Sequence, residues 1–309
     1  MHKQLVNHCT IDLNIIPDGP ILIKSGREGA DPTNPDMEFV KTFHGGGWSI
    51  YLPGSSLKGA IRAHAERIVR TVGGDNNTRK VWASDPTKGD YLPKNLKSHD
   101  IYQQSSFTDQ IFGNTSIASR IRIEDAHPVD LTQLKLEERN GVAIDRVFGS
   151  TVPGALFNYQ VCTAGEFHTK IHLKNFTLAQ LGLIGLVLRD LNDGWFGLGF
   201  AKSRGLGTVR VQYNSAIVQY PGCQLETGKI RQLGNPGEWD SNYLLGVGEF
   251  LIDDEAKKYG FPKPDKRDSE GFAESMELGF GVKVTWNNNT NSGVKDLFMR
   301  AVEVWGEGF

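Results

Sequence analysis

The chain has 309 residues and a formal net charge of −2, and 39% of its residues are hydrophobic and 23% charged. This composition is ordinary for a soluble globular protein of one large domain or two modest domains. The near-neutral charge excludes a protein that binds polyanions over its whole surface, although it leaves room for a local basic stripe.

The cysteines and the hydropathy pattern indicate the cellular environment. Cys9, Cys162 and Cys223 are far apart and odd in number, so neither a disulfide framework nor a CxxC zinc site is predicted. No apolar run approaches the roughly 20 residues that a membrane span needs. We therefore expect a cytoplasmic protein in a reducing compartment, with no membrane partner.

The first part of the chain predicts a strand, a long loop and a helix. Residues 4–24 alternate apolar and polar side chains, as a half-buried strand does. Residues 25–49 contain prolines and three consecutive glycines, which predict an irregular excursion. Apolar residues then recur at helical spacing over about 55–72. We expect an amphipathic helix there, capped by Ser55 or Ser56.

The middle of the chain combines an insertion, a strand, hairpins and a second helix. Residues from about 73 to 111 have weak periodicity and predict a mobile surface insertion. Arg120 and Arg122 alternate in a predicted strand and should share one face. Residues 141–173 predict a pair of β-hairpins, and 178–194 predict a helix with one buried face.

The order of these elements predicts the fold class. Strand, helix, strands, helix and strand in succession fit an α+β architecture with a ferredoxin-like core and large insertions. The tail is mixed and ends in a strand-like segment at 276–286. We therefore expect a core over residues 1–221 and a C-terminal extension over 222–309 that packs on it.

The helix beginning carries a combination of residues suited to an anion. In PGSSLKGAIR, Gly54 allows another backbone to come close, and Ser55 and Ser56 stand where a helix presents unpaired N–H groups. Lys58 and Arg62 are i, i+4 neighbours beside that end. The alternative interpretation is a surface helix with solvated charges.

The segment GLGFAKSRGLG, residues 197–207, has a similar character. Its glycines permit backbone N–H groups to converge on a phosphate, and Lys202, Ser203 and Arg204 would complete the cradle. The spacing fits neither the GxxxxGK[ST] nor the GxGxxG motif, so a nucleotide-using enzyme is a weak alternative. A tight glycine hairpin without a ligand is the other one.

Four stretches together carry a family resemblance. PGSSLKGAIR, FGNTSIASRIRIEDA, NGVAIDRVFGSTVPGALFNYQVCTAGEFHTKI and GFAKSRGLGTVRV occur in this order. In combination they resemble the RAMP superfamily of CRISPR-associated proteins, and specifically the backbone subunit of type III effector complexes. The resemblance covers residues from about 1 to 215.

The resemblance implies a fold, partners and RNA contacts. Such subunits have a palm like an RNA-recognition motif, and they polymerise along a guide RNA together with further RAMP subunits and other proteins of the complex. A thumb hairpin, here at about 141–160, kinks the guide. The implied RNA-contact residues are Gly54, Ser55, Ser56, Lys58, Arg62, Arg120, Arg146, Lys202, Ser203 and Arg204.

The resemblance also implies a reaction. Catalytic members cut the paired target RNA with an aspartate in the loop before the first helix, supported by Mg²⁺ or another divalent cation. PDMEFVKT resembles that stretch, so Asp36 is the expected catalytic residue and Asp31 the runner-up. A non-cutting scaffold subunit is the alternative. Relatives often bind zinc before the FGNT turn, but here that segment keeps only His99, so we expect no structural zinc.

Overall fold

A seven-stranded antiparallel sheet forms the framework of the molecule. The computed structural model describes residues 4–26, 35–77, 81–87, 91–287 and 292–307. The strands are β1 (His8–Pro17), β2 (Lys41–His44), β3 (Gly47–Ile50), β4 (Ile121–Ile123), β5 (His127–Pro128), β6 (Lys135–Ile144), β7 (Thr151–Ala164), β8 (Phe167–Lys174), β9 (Val209–Tyr220), β10 (Cys223–Glu226), β11 (Lys229–Gln232), β12 (Glu238–Asp240), β13 (Tyr243–Leu245), β14 (Lys266–Asp268), β15 (Phe272–Ser275) and β16 (Val282–Asn287). The α-helices are α1 (Gly54–Gly73), α2 (Ser98–Gln104), α3 (Phe107–Phe112), α4 (Leu178–Asn192), α5 (Asp253–Tyr259) and α6 (Val294–Gly306).

The core of the sheet has the ferredoxin-like order. Its strands run β9-β1-β8-β4, and with α1 and α4 they follow the chain order β1, α1, β4, β8, α4, β9. Alternate residues of β1, such as Cys9, Ile11 and Leu13, are buried, and Leu57 and Ile61 of α1 belong to the same core. The predicted α+β ferredoxin-like class is therefore confirmed.

The C-terminal extension continues this sheet. β16 pairs with β9, and β15 pairs with β16, so two strands are added beyond the core. The sequence did not predict α6. This helix packs closely along α4 because two α4 residues, Gly182 and Gly185, are glycines. A Cβ at Gly182 would lie 2.7 Å from the Ala301 oxygen, and one at Gly185 would lie 2.6 Å from the Phe298 ring.

The insertion after α1 is folded against the core. Val81 and Ala83 are buried, as is Ile111 of α3, so the prediction of a mobile surface insertion is wrong for the described part of 73–111. The ordering centre is the buried carboxylate of Asp109. It accepts hydrogen bonds from the hydroxyls of Ser84 (3.0 Å), Tyr91 (2.6 Å) and Ser106 (2.8 Å). It also forms an ion pair with Arg62 of α1 at 2.7 Å.

A two-stranded hairpin, β6–β7, projects from the core sheet. The two strands pair with each other along their length, and only β7 forms bridges outside the hairpin, where Cys162 pairs with Ile21 and Tyr159 with Met37. At its tip Val147 is 84% exposed. The hairpin spans Lys135–Ala164 and so begins before the predicted 141–160.

The glycine-rich loop between α4 and β9 packs tightly on residues 20–23. Gly199 has a φ of +79°, and a Cβ there would lie 2.2 Å from the Leu22 oxygen. The neighbouring Phe200 N–H donates to that oxygen at 2.7 Å, and the Gly207 N–H donates to the Pro20 oxygen at 2.8 Å. Glycine is therefore required for the close approach of two backbones.

No helix in the described ranges is long and apolar enough to cross a membrane.

The three cysteines are buried and free of disulfides. Burial raises the pKa of Cys162 to about 11 and that of Cys223 to about 12. These thiols therefore remain protonated at neutral pH and act as apolar packing groups.

Asp265 joins the extension to the core. Its carboxylate accepts the Leu178 N–H at the start of α4 (3.0 Å) and the Gly248 N–H (3.2 Å). The side chain is fully buried, and this burial raises its pKa to about 7. The folded protein therefore holds a proton on Asp265 at pH values where the unfolded chain has lost it.

The glycine loop gives a first prediction. Gly199→Ala adds a Cβ that collides with the Leu22 oxygen, whereas Gly205→Ala meets no atom within 4 Å at a similar φ of +83°. We expect Gly199→Ala to lower the free energy of unfolding by ~3 kcal/mol or more and Gly205→Ala by only ~1 kcal/mol. Urea denaturation measures both. Equal losses would show that backbone strain alone, without packing, explains the two glycines.

Asp265 gives a second prediction, on pH. Between about pH 4 and 7 the folded state binds the extra proton, so raising the pH favours unfolding by up to ~1.4 kcal/mol per pH unit. Asp265→Asn cannot ionise and keeps an oxygen for the Leu178 N–H. We expect the stability difference, wild type minus variant, to fall from pH 5 to 7 in urea melts. A difference that stays constant with pH would contradict the raised pKa.

Candidate nucleic-acid interface

Asp36 is fixed beside the middle of the β6–β7 hairpin, where Asn158 pairs with Asn140. Its N–H donates to Asn158 Oδ1 at 2.7 Å, and the Asn158 N–H donates to Asp36 Oδ2 at 2.9 Å. Met37 extends this pairing, because it bridges Tyr159 in parallel register. Asp36 is exposed, and among the described residues no donor contacts its Oδ1. The carboxylate is thus held by one oxygen and presents the other to solvent.

Arg204 joins the glycine-rich loop to the same hairpin. Its guanidinium carbon lies 5.1 Å from the ring centre of Phe200 and 5.8 Å from that of Phe157. Phe157 directly precedes Asn158, the residue that anchors Asp36. Arg204 and Asp36 therefore contact neighbouring residues of β7, and we call the region of Asp36, Arg204 and the two rings the Asp36–Arg204 surface.

The beginning of α1 is already partly satisfied by the protein itself. The Gly54 N–H donates to Asp125 Oδ1 at 2.7 Å, and a Cβ at Gly54 would lie 2.2 Å from a β4 carbonyl oxygen. Pro53 is the N-cap residue and makes no side-chain cap bond, so the prediction that Ser55 or Ser56 caps the helix is wrong. Both serines are exposed, but an internal carboxylate meets the positive helix end.

The two α1 cations point toward the insertion. Lys58 Nζ donates to Ser119 Oγ at 2.8 Å, and burial, together with the Arg62 charge, lowers the Lys58 pKa. The Arg62 guanidinium donates to Glu66, the Gly113 oxygen and Asp109, so all its nitrogens serve the fold.

Lys58 and the glycine loop lie on different sides of α1. His64, which stacks on Phe196 at 4.3 Å just before the loop, stands about 120° from Lys58 around the helix axis. Lys58 at the start of α1 and the glycine-rich loop therefore do not face the same side of the helix.

Arg120 is an interior residue. It is only 4% exposed, and its Nη1 donates to Tyr102 Oη at 2.9 Å and to the Asn175 oxygen at 2.7 Å. Burial lowers its pKa. The expectation that Arg120 contacts RNA does not fit this position. Arg122, predicted to share a face with Arg120, is exposed in β4, so of the two arginines it is the accessible one.

The remaining predicted cations are accessible. Lys202, Ser203 and Arg204 form an exposed 3-10 turn at the tip of the glycine-rich loop. Arg146 is exposed in the turn of the β6–β7 hairpin, which Asp145 organises by accepting two backbone N–H groups. Those bonds lower the pKa of Asp145. Asp31, the runner-up for catalysis, lies outside the described residues.

The glycine-rich loop does not form a phosphate cradle from its backbone. The N–H groups of Leu198, Phe200 and Gly207 donate to the carbonyl oxygens of Gly207, Leu22 and Pro20. Those of Arg204, Gly205 and Leu206 donate within the turn that follows Ala201. Six N–H groups of this loop are therefore already used within the protein, which leaves few for an external anion and weighs against the nucleotide-enzyme alternative.

Residues 20–24 hold the parts of this surface in register. Besides the bonds to the glycine loop, Ile21 pairs with Cys162 of β7, and the Ile23 oxygen accepts the Val40 N–H.

The sequence did not reveal Asn158, Phe157 or Phe200 as site residues. Their roles come from contacts between segments more than 40 positions apart, and the alternating aromatics of β7 were the only local signal.

The surface offers little protein ligation to a metal ion. Within the described ranges, no group of three or more histidine, cysteine, aspartate or glutamate side chains is arranged to hold one. Asp36 provides a single outward oxygen. That donor fits a hydrated Mg²⁺, which is usually bound by one or two carboxylates together with substrate phosphates.

Comparison with known proteins identifies the family. A search of curated proteins returned no match. The family model of the RAMP superfamily, in contrast, matches residues 17–210, which cover both core helices, the β6–β7 hairpin and the glycine-rich loop. The match includes Asp36, the hairpin and Arg204. This protein belongs to the RAMP superfamily.

Proposed function

We propose that the chain is a guide-RNA-binding backbone subunit of a type III CRISPR ribonucleoprotein and that it cleaves the paired target RNA at Asp36. The family supports RNA binding in a multi-subunit CRISPR complex. The observation that carries the catalytic part is the Asp36 carboxylate, which is locked to Asn158 through Oδ2 while Oδ1 stays open.

In this proposal the Asp36–Arg204 surface binds the RNA strand. Arg204 and Lys202 neutralise phosphates, and Ser203 adds a hydrogen-bond donor, all without reading sequence. The half-buried rings of Phe157 and Phe200 hold the Arg204 guanidinium in place and supply apolar area against a base. The buried Arg120 and the internally bonded Arg62 are left out of this interface.

The β6–β7 hairpin is the proposed thumb. Val147 and Phe148 at its tip are 84% and 83% exposed, and Arg146 stands beside them. Apolar side chains presented on a firm turn can enter between bases and unstack them. We expect the resulting kink in the RNA to bring the backbone of the paired target strand to Asp36, beside β7.

Cleavage would use the 2′-hydroxyl of the target RNA. Asp36 Oδ1 accepts the proton of that hydroxyl, the 2′-oxygen attacks the adjacent phosphorus to give a 2′,3′-cyclic phosphate, and the 5′-oxygen leaves in line and takes a proton from water. The Asn158 N–H holds the carboxylate through Oδ2 during this step. A divalent cation such as Mg²⁺, held by Asp36 and the RNA phosphates, would supply charge stabilisation.

A scaffold subunit that binds RNA without cutting it is the second candidate. It is favoured by the absence, among the described residues, of a group of three or more histidine, cysteine, aspartate or glutamate side chains arranged to hold a metal ion. The two candidates share the RNA interface and differ only at Asp36.

The catalytic candidate gives a third prediction. Asp36→Asn keeps an oxygen that accepts the Asn158 N–H but removes the charge. We expect cleavage of a labelled target RNA to slow by about 10²–10⁴, with guide content unchanged, in the ribonucleoprotein purified through a tag on this chain.

Two matched variants make that test specific. Asp240→Asn changes the charge equally at an exposed position in β12 and should cleave normally. Asp31→Asn tests the runner-up. Full activity of Asp36→Asn would assign this chain to the scaffold role, or to catalysis by Asp31 if that variant is the inactive one.

The RNA interface gives a fourth prediction. Arg204→Ala removes an exposed cation that forms no ion pair with a carboxylate among the described residues, so its effect on folding should be small. We expect weaker binding to all single-stranded RNA sequences alike, and a slope of log K against log salt that is lower by about 0.7. Filter binding at several salt concentrations measures this. The control Lys229→Ala removes a surface cation of the extension, and an equal loss there would contradict a localised interface.

A further inference from the structure

A groove of about 670 Å³ lies in the C-terminal extension, between the β11–β12 hairpin and the start of α5. It shares no residue with the Asp36–Arg204 surface. The rings of Trp239 and Phe250 lie 5.2 Å apart in its floor. Ile252 forms part of its wall and is 58% exposed. The groove thus offers apolar surface that the described chain leaves uncovered.

Glu249 is held rigidly in this groove. Its Oε2 accepts the Trp239 Nε1–H at 2.8 Å, and its Oε1 accepts the Asp265 N–H at 2.7 Å. Both donors are neutral, and no ion pair compensates the carboxylate within the described residues. A half-buried carboxylate that is fixed by neutral donors pays a desolvation cost that an incoming cation would offset.

Most of the other charged groups that line the groove are negative, like Glu249. Glu238, Glu249, Asp253 and Asp254 line it against one lining cation, Lys263, and Glu238 pairs with Lys229 at 2.7 Å. Lys263 is already paired with Asp253 at 2.7 Å. A groove of this charge repels RNA phosphates and attracts cationic side chains.

We propose that this groove binds a basic segment of a partner protein. An arginine or lysine side chain of that segment enters beside Trp239 and pairs with Glu249, and an apolar neighbour covers Ile252. Trp239 is only 7% exposed, so the guanidinium donates to the fixed carboxylate of Glu249 and does not stack on the ring. The extension thereby joins the chain to another protein, while the RAMP core serves RNA.

The geometry favours a polypeptide over smaller cations. No three acidic side chains of the described groove converge as a metal site does. The acidic groups are spread along the walls with apolar groups between them, which matches successive side chains of an extended peptide.

The test uses the full-length protein and a fluorescein-labelled nonapeptide of alternating arginine and leucine. We expect fluorescence anisotropy to show binding, and a peptide with glutamine in place of arginine to bind about tenfold or more weakly. Glu249→Gln should weaken binding of the arginine peptide about tenfold, and Ile252→Ser and Asp254→Asn two- to fivefold each.

Controls separate this groove from charge in general and from folding. Glu277→Gln removes an equal charge from an exposed position outside the groove and should bind the peptide normally. Ile252 and Asp254 are exposed, so their variants should melt like the wild type even if Glu249→Gln unfolds. All three groove variants should keep full affinity for single-stranded RNA.

Four results would overturn the proposal. They are no binding of the arginine peptide at ~1 mM, an equal loss of binding in Glu277→Gln, a crosslink of RNA to the groove, and self-association of the chain in sedimentation that Ile252→Ser abolishes. The last result would assign the groove to a second copy of this chain.

Discussion

Backbone hydrogen bonds to residues 20–24 determine how the parts of the interface meet. This short segment follows β1 and is bonded to β7 through Ile21, to the glycine-rich loop through Pro20 and Leu22, and to the Asp36 segment through Ile23. None of these bonds involves a side chain. The register of the backbone, and the glycines that permit it, therefore place Asp36 and Arg204 on one surface.

The sequence predicted those elements whose periodicity is strong and failed where distant contacts decide. The alternation in β1 and the apolar stripes of α1 and α4 were sufficient for the ferredoxin-like core. The insertion after α1 lacks such a pattern, because a buried carboxylate, Asp109, organises it through polar contacts. A polar composition there was no sign of exposure.

The candidate site was less predictable than the fold. Cationic side chains near glycines suggested anion binding, but the sequence could not distinguish the exposed Arg204 from Arg120, which is buried against Tyr102. Both have the same local polarity, and only the packing of α2 against the core separates them. One aromatic partner of Arg204, Phe157, comes from a strand about 45 positions earlier in the chain and was missed for the same reason.

The position of α6 has a consequence for how the chain folds during synthesis. α4 leaves a flat face at Gly182 and Gly185 that only α6, more than 100 residues later, covers. β9 likewise obtains its second neighbour from β16. Until α6 and β16 have left the ribosome, the emerging protein therefore exposes an apolar helix face and an open sheet edge, and both favour association with other chains.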